Sequence, residues 1–129
     1  MLNKKCFSIS TYSQFEKLIH LKKNKRKILV IFIKYNLING FGIDWLNAFI
    51  KLIKKNYSDQ NIKFYVDSGN NYGLSILISR ENIQYLKLKS NKTILEKINQ
   101  IAKKNKVLLN PNFNVVEVSK IKNYRNLRL

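Results

Sequence analysis

The run Ile28-Leu29-Val30-Ile31-Phe32-Ile33 is apolar at every position and β-branched at several. A half-exposed strand or an amphipathic helix would place polar residues at regular intervals in such a stretch. An unbroken run suits a central strand covered on both faces, the usual situation in parallel sheets. It is also the longest apolar run in the chain and far too short to cross a bilayer. Whatever this chain folds into must therefore bury both sides of one strand.

The pattern around that run indicates how. Phe7 and Ile9 alternate with polar neighbours, giving a short first strand. A helix follows with Phe15, Leu18, Ile19 and Lys22 on one side, and Ser13 and Glu16 have capping-box spacing at its start. Beyond a loop through Asn36, Asn39, Gly40 and Gly42, a helix over 43–56 has Leu46, Phe49, Ile50 and Ile53 as its buried stripe. Its Lys51, Lys54 and Lys55 face outward. A turn at 58–61, a strand over 62–66, a short helix over 71–80 and a strand over 83–88 come next. The helix over 91–105 carries Ile94, Leu95, Ile98, Ile101 and Ala102 at helical spacing. Val107-Leu108-Leu109 forms a last short strand, stopped by Asn110-Pro111.

Strands alternating with helices at this spacing predict βαβ units with right-handed crossovers. The expectation is an α/β domain over residues 1–111 with a mainly parallel sheet of about five strands. Its order is either doubly wound, making three layers, or sequential and half-barrel-like; periodicity does not choose between them. Residues 112–129 read as a basic C-terminal tail containing Tyr124, Arg125 and Arg128.

The formal net charge is +18 over 129 residues, which raises the question of a polyanionic partner. Most of the basic residues are Lys, with Arg only at 26, 80, 125 and 128. Lys, Asn and Ile are the products of AT-rich codons, so the bias has a source independent of any partner. Charge of this kind supports solubility and weak attraction to nucleic acid, not a function. One cysteine, Cys6, and one histidine, His20, leave no multi-cysteine metal site and no nucleophile–base set. No cofactor fingerprint is present, since the Gly40–Gly42 loop lacks both a third glycine and a Gly-Lys-Ser/Thr ending. Lys4 and Lys5 precede a segment too short and too polar for a signal-peptide core, so the expected location is cytoplasmic, with no membrane association.

The junction Ile62 to Leu74 carries the most specific functional signal. An apolar strand runs into Asp67, Ser68, Gly69, Asn70, Asn71 and Gly73, and then into a helix. In parallel sheets, ligands gather at the carboxyl ends of strands. Glycines there allow close backbone approach, and the next helix offers free N–H groups to an anion. The competing explanation is local: Asp67 or Asn70 caps a helix and the glycines permit a tight turn. Lys34 and Lys89 also follow strands, the placement a Schiff-base lysine would have, but in a chain this rich in lysine chance accounts for both.

The segment Val66-Asp67-Ser68-Gly69-Asn70-Asn71-Tyr72-Gly73-Leu74 resembles the strand-D-C-G-D-x-x-G-helix signature of small, uncharacterised bacterial α/β proteins. Gly40-Phe41-Gly42-Ile43-Asp44-Trp45 is similar to a Gly-x-Gly-aromatic loop of the same proteins. The likeness spans about residues 27–111 by pattern. This chain has Ser68 in place of Cys and Asn70 in place of the second Asp, so chemistry that needs those groups does not carry over. The resemblance implies a fold and a site location, and no activity.

The leading expectation is a small anionic or phosphorylated ligand held by Asp67, Ser68, Gly69, Asn70, Asn71 and Gly73 with Asn36, Gly40 and Gly42. The alternatives are a nucleic-acid or polyanion-binding protein using its lysine faces and tail, and a subunit that binds another protein. No reaction is assigned, because no complete catalytic set accompanies the junction.

Overall fold

The computed structural model describes residues 4–124, 127 and 129. Strands β1 (Lys4–Ile9), β2 (Leu29–Ile33), β3 (Ile62–Asp67), β4 (Tyr85–Lys87), β5 (Leu108–Leu109) and β6 (Phe113–Glu117) form one sheet. Every pairing is parallel, in the order β5-β4-β3-β2-β1-β6. Helices α1 (Tyr12–Leu21), α2 (Tyr35–Phe41), α3 (Ile43–Asn56), α4 (Tyr72–Ser79) and α5 (Lys92–Lys104) connect the first five strands. No helix among the described residues is long and apolar enough to cross a membrane.

The sequential order decides the architecture. Strands β1 to β5 step in one direction, and right-handed crossovers between them put their connecting helices on the same face; β6 returns to the far side of β1 without a helix. A doubly wound sheet would need the order to reverse. The larger apolar cluster accordingly joins Phe15, Leu18, Ile38, Leu46, Ile50, Ile53, Ile78 and Ile98 of the helices to Phe7, Ile9, Ile31, Ile33, Phe64, Val66 and Leu86 of the strands. The alternate strand positions point the other way, and among the described residues no helix residue joins their cluster. There Cys6, Val30, Phe32 and Tyr65 form a second buried cluster with Tyr85 and Phe113.

That inner face is covered by curvature. The ring of Phe113 on β6 stands 4.9 Å from Tyr85 on β4 and 5.6 Å from Tyr65 on β3, although β2 and β1 separate β6 from β3 in the sheet. The two ends of the sheet thus face each other, making a half-barrel whose narrow interior is filled by aromatic rings. The register shows the same closure. Leu108, Tyr85, Tyr65, Phe32, Ser8 and Glu117 share one row, so that row begins and ends on the same stretch of chain.

Asn110 joins the two halves of that stretch. Its backbone N–H donates to Leu86 O at 2.7 Å. Its side-chain amide takes over the ladder where the backbone leaves it, accepting from Leu88 N at 2.9 Å and donating to Leu88 O at 3.0 Å. Asn110 adopts φ 49°, a left-handed conformation that Asn tolerates better than most residues.

Three local expectations differ from what is observed. The segment read as a loop before residue 43 is mostly the short helix α2, and Gly42, at φ 92°, turns the chain from α2 into α3. The capping residue of α1 is Thr11, whose side chain accepts from Gln14 N at 3.2 Å, so the cap lies two residues before Ser13. Within the stretch expected as a tail, β6 pairs with β1 from Lys4↔Phe113 to Ser8↔Glu117. Tyr124, Leu127 and Leu129 pack against the main core, and Arg125 and Arg128 lie outside the described residues.

Burial gives the inner cluster a chemical signature. Desolvation pushes the Cys6 thiol from 9.0 up to about 12, with nearby Lys87 offsetting only part of the effect. Desolvation also lifts the Tyr65 hydroxyl to about 12, and Cys6 and Asp67 add to the rise. Both groups gain protons on folding relative to the unfolded chain. Their contribution is therefore complete below the unfolded values and fades as pH climbs through about 12. Cys6 should resist a disulfide reagent such as DTNB at pH 8 in the native protein and react at once in guanidinium. Fast labelling without denaturant would contradict this interior.

Candidate functional site

The junction after β3 stands at the carboxyl end of the sheet, as its sequence implies, and most of its polar groups are engaged locally. Asp67 Oδ1 accepts from Gly69 N at 2.8 Å, closing a tight Asx turn. Ser68 is fully buried, and its backbone N–H and hydroxyl both donate to Lys87 O, at 2.9 and 2.6 Å. This double bond clamps β3 to β4. Gly69 sits at φ 61°, and an added Cβ would come within 3.0 Å of the Tyr35 ring from the start of α2. Lys89 N donates to Gly69 O at 2.8 Å.

Asn71 caps α4 by accepting from Leu74 N at 3.0 Å. Gly73 lies in the first turn of that helix, and Asn70 is exposed. Asn36 and Gly40 lie exposed on α2. The contact between Tyr35 and Gly69 ties the start of α2 to this turn. Capping and turn chemistry thus account for Asp67, Ser68, Gly69 and Asn71.

The same edge carries a second set of groups on the inner face, supplied by alternate positions of the strands. Lys34 follows β2, Lys87 ends β4 and Glu117 ends β6. Lys34 Nζ and Glu117 Oε2 form an ion pair at 2.7 Å, with both side chains less than one-third exposed. Burial alone would raise the Glu117 carboxyl. Hydrogen bonds from Lys34 and from Ser119 Oγ, at 3.1 Å, outweigh that and hold it below the ordinary value. Ser8, on the same register row, is fully buried, and its hydroxyl lacks a hydrogen bond of good geometry. An ion-paired ammonium is not the free amine that a Schiff base needs, which weighs against that chemistry at Lys34.

Lys87 is placed differently. Its Nζ lies 5.8 Å from the centroid of the Phe32 ring, over the open end of the inner cluster. The ion pairs among the described residues are Lys25–Asp59 and Lys34–Glu117, so neither Lys87 nor Lys89 has a carboxylate partner. Both line a cleft of about 460 Å³ with Ser90, Asn110, Tyr65 and Phe113, and no carboxylate lines it. Strand parity alone could have brought Lys87 to this face of the sheet. Glu117, the partner of Lys34, and the cleft-wall residues Asn110, Pro111, Phe113 and Val115 come from β6 and the turn before it, whose return across the sheet end has no sequence signal.

No protein-family model matches the chain, and no curated protein is significantly similar to it.

Replacing Gly69 by Ala should lower stability by about 1–3 kcal/mol, from left-handed backbone strain plus the collision with Tyr35. Urea unfolding measures this, and a neutral result would mean that the turn relaxes freely. Glu117→Gln should cost about 1–2 kcal/mol at pH 7, between the ranges for surface and buried pairs. Because folding depresses the Glu117 value, the pair's contribution is full above the unfolded carboxylate range and is lost as pH falls through the lower folded value. The gap between the two proteins should therefore close in acid, and a gap that stays constant down to pH 2 would contradict the pairing.

Proposed function

We propose that this protein binds a small anionic ligand, of the phosphorylated-metabolite class, in the cleft at the carboxyl edge of its sheet. The observation that carries the reading is the pair Lys87 and Lys89, two ammonium groups without an ion pair among the described residues, opening on one cleft with no carboxylate in its lining. Leaving like charges together is unfavourable for the empty protein, and an anion relieves it. Ser90 adds a hydroxyl, and Tyr65 and Phe113 supply an apolar wall. That mixture, and a volume of about 460 Å³, fit the usual composition and size of small-molecule sites.

The placement also follows the general rule for parallel sheets, in which loops at the carboxyl ends of strands form the ligand site. The turn Asp67–Asn71 bounds the same edge, with Asp67 paired in register to Lys87 on the neighbouring strand. In this reading Asp67 shapes the turn and Lys87 and Lys89 hold the charge. No reaction is assigned.

A thermal-shift screen with ribose 5-phosphate, glycerol 3-phosphate and inorganic phosphate tests the reading. At least one should raise the melting temperature, and Lys87→Ala with Lys89→Ala should weaken that ligand by about tenfold or more, the scale of a lost charge-assisted contact. A hit that binds the double variant with unchanged affinity would overturn the assignment.

A further inference from the structure

The opposite end of the half-barrel also carries a cavity. Lys4 on β1 and Lys63 on β3 stand at the amino ends of inner-face rows, as the pairings Lys4↔Phe113 and Val30↔Lys63 show. Lys5 and Lys27 join them around a cavity of about 480 Å³ whose lining includes no Asp or Glu side chain. Its walls are apolar: Val30 and Tyr85 from the inner cluster, Phe7, and Ile28, which is 44% exposed. Leu129 closes one side, its carbonyl oxygen accepting from Lys27 Nζ.

We infer that this cavity is a second, separate site, for a free amphipathic anion with one acidic head and an alkyl body. A lining of four lysines around an apolar floor matches that division of chemistry. The ammonium groups of Lys4, Lys5 and Lys63 have no ion-pair partner among the described residues, and they receive the head. Ile28 leaves large apolar surface in water beside them, and an alkyl chain lying against Ile28, Val30 and Tyr85 removes it from water. A polynucleotide fits less well. It needs cations along a track and open ring faces for stacking. Here the lysines ring one cavity, and Tyr65 and Phe113 already pack against the Tyr85 ring with interplanar angles of 74° and 79°.

Isothermal titration calorimetry with dodecyl phosphate, kept below its micelle concentration, tests this directly. Dodecyl phosphate should bind saturably. Inorganic phosphate, which lacks the tail, and dodecyltrimethylammonium, which reverses the head charge, should each bind about tenfold more weakly or worse. Lys5→Glu with Lys63→Glu should cut dodecyl phosphate affinity by about tenfold, and Lys87→Ala with Lys89→Ala should leave it unchanged. Lys5 is exposed on the strand, so Lys5→Glu alone, shown to be folded by circular dichroism, gives a readable loss if the double variant does not fold. Unchanged affinity in the Glu variants, equal binding of inorganic phosphate, or loss in the Lys87/Lys89 variant would each overturn the inference. The last result would instead locate the binding at the carboxyl-edge cleft.

Discussion

A parallel sheet whose strands follow in sequential order has helices on only one side, and its other face must be kept from water by some other means. Here the inner-face residues Val30, Phe32, Tyr65, Tyr85 and Phe113 are too large and apolar to remain exposed, and among the described residues no helix residue belongs to their cluster. Curling the sheet until β6 faces β4 buries them against one another. The edge-to-face contacts Phe32–Tyr65 at 4.9 Å and Tyr85–Phe113 at 4.9 Å are geometries that aromatic pairs prefer. The return of the chain through Asn110, the pairing of β6 with β1, and the meeting of Lys34 with Glu117 all follow from that closure.

The closure also sorts the charge. The interior is narrow and apolar in the middle, so lysines on the inner faces of the strands are confined to the two ends. At the carboxyl end Lys34 is neutralised by Glu117, while Lys87 lies over the Phe32 ring with no ion pair among the described residues. At the amino end Lys4 and Lys63 have no such partner among the described residues. A net charge of +18 then has specific sites of concentration, one at each mouth. Both proposed sites arise from one geometric fact.

Different parts of the sequence were legible to different degrees. The helices announce themselves through stripes such as Leu46, Phe49, Ile50 and Ile53, because a helix packed on one side must repeat its apolar residues every three or four positions. The parallel arrangement is readable from Ile28–Ile33 and from the alternation of elements. The Asp67–Gly73 junction shows its position at the carboxyl edge, but its residue types fit capping as well as ligand binding. Only the contacts decide: Ser68 spends its hydroxyl on Lys87 O, and Gly69 is required where Tyr35 packs on it.

What the chain alone determined, then, is a set of local periodicities: most of the helices and strands, though not α2 or β6, and that neighbouring strands run the same way. These depend on near neighbours along the chain and survive in any arrangement of the elements. Strand order, the curl and the identity of the groups at each mouth depend on residues far apart in sequence. Phe113 meets Tyr65, Glu117 meets Lys34, and Asn110 completes a ladder begun at Leu86. No periodicity encodes these meetings, because they exist only once the inner face has closed on itself, and that is where the candidate sites lie.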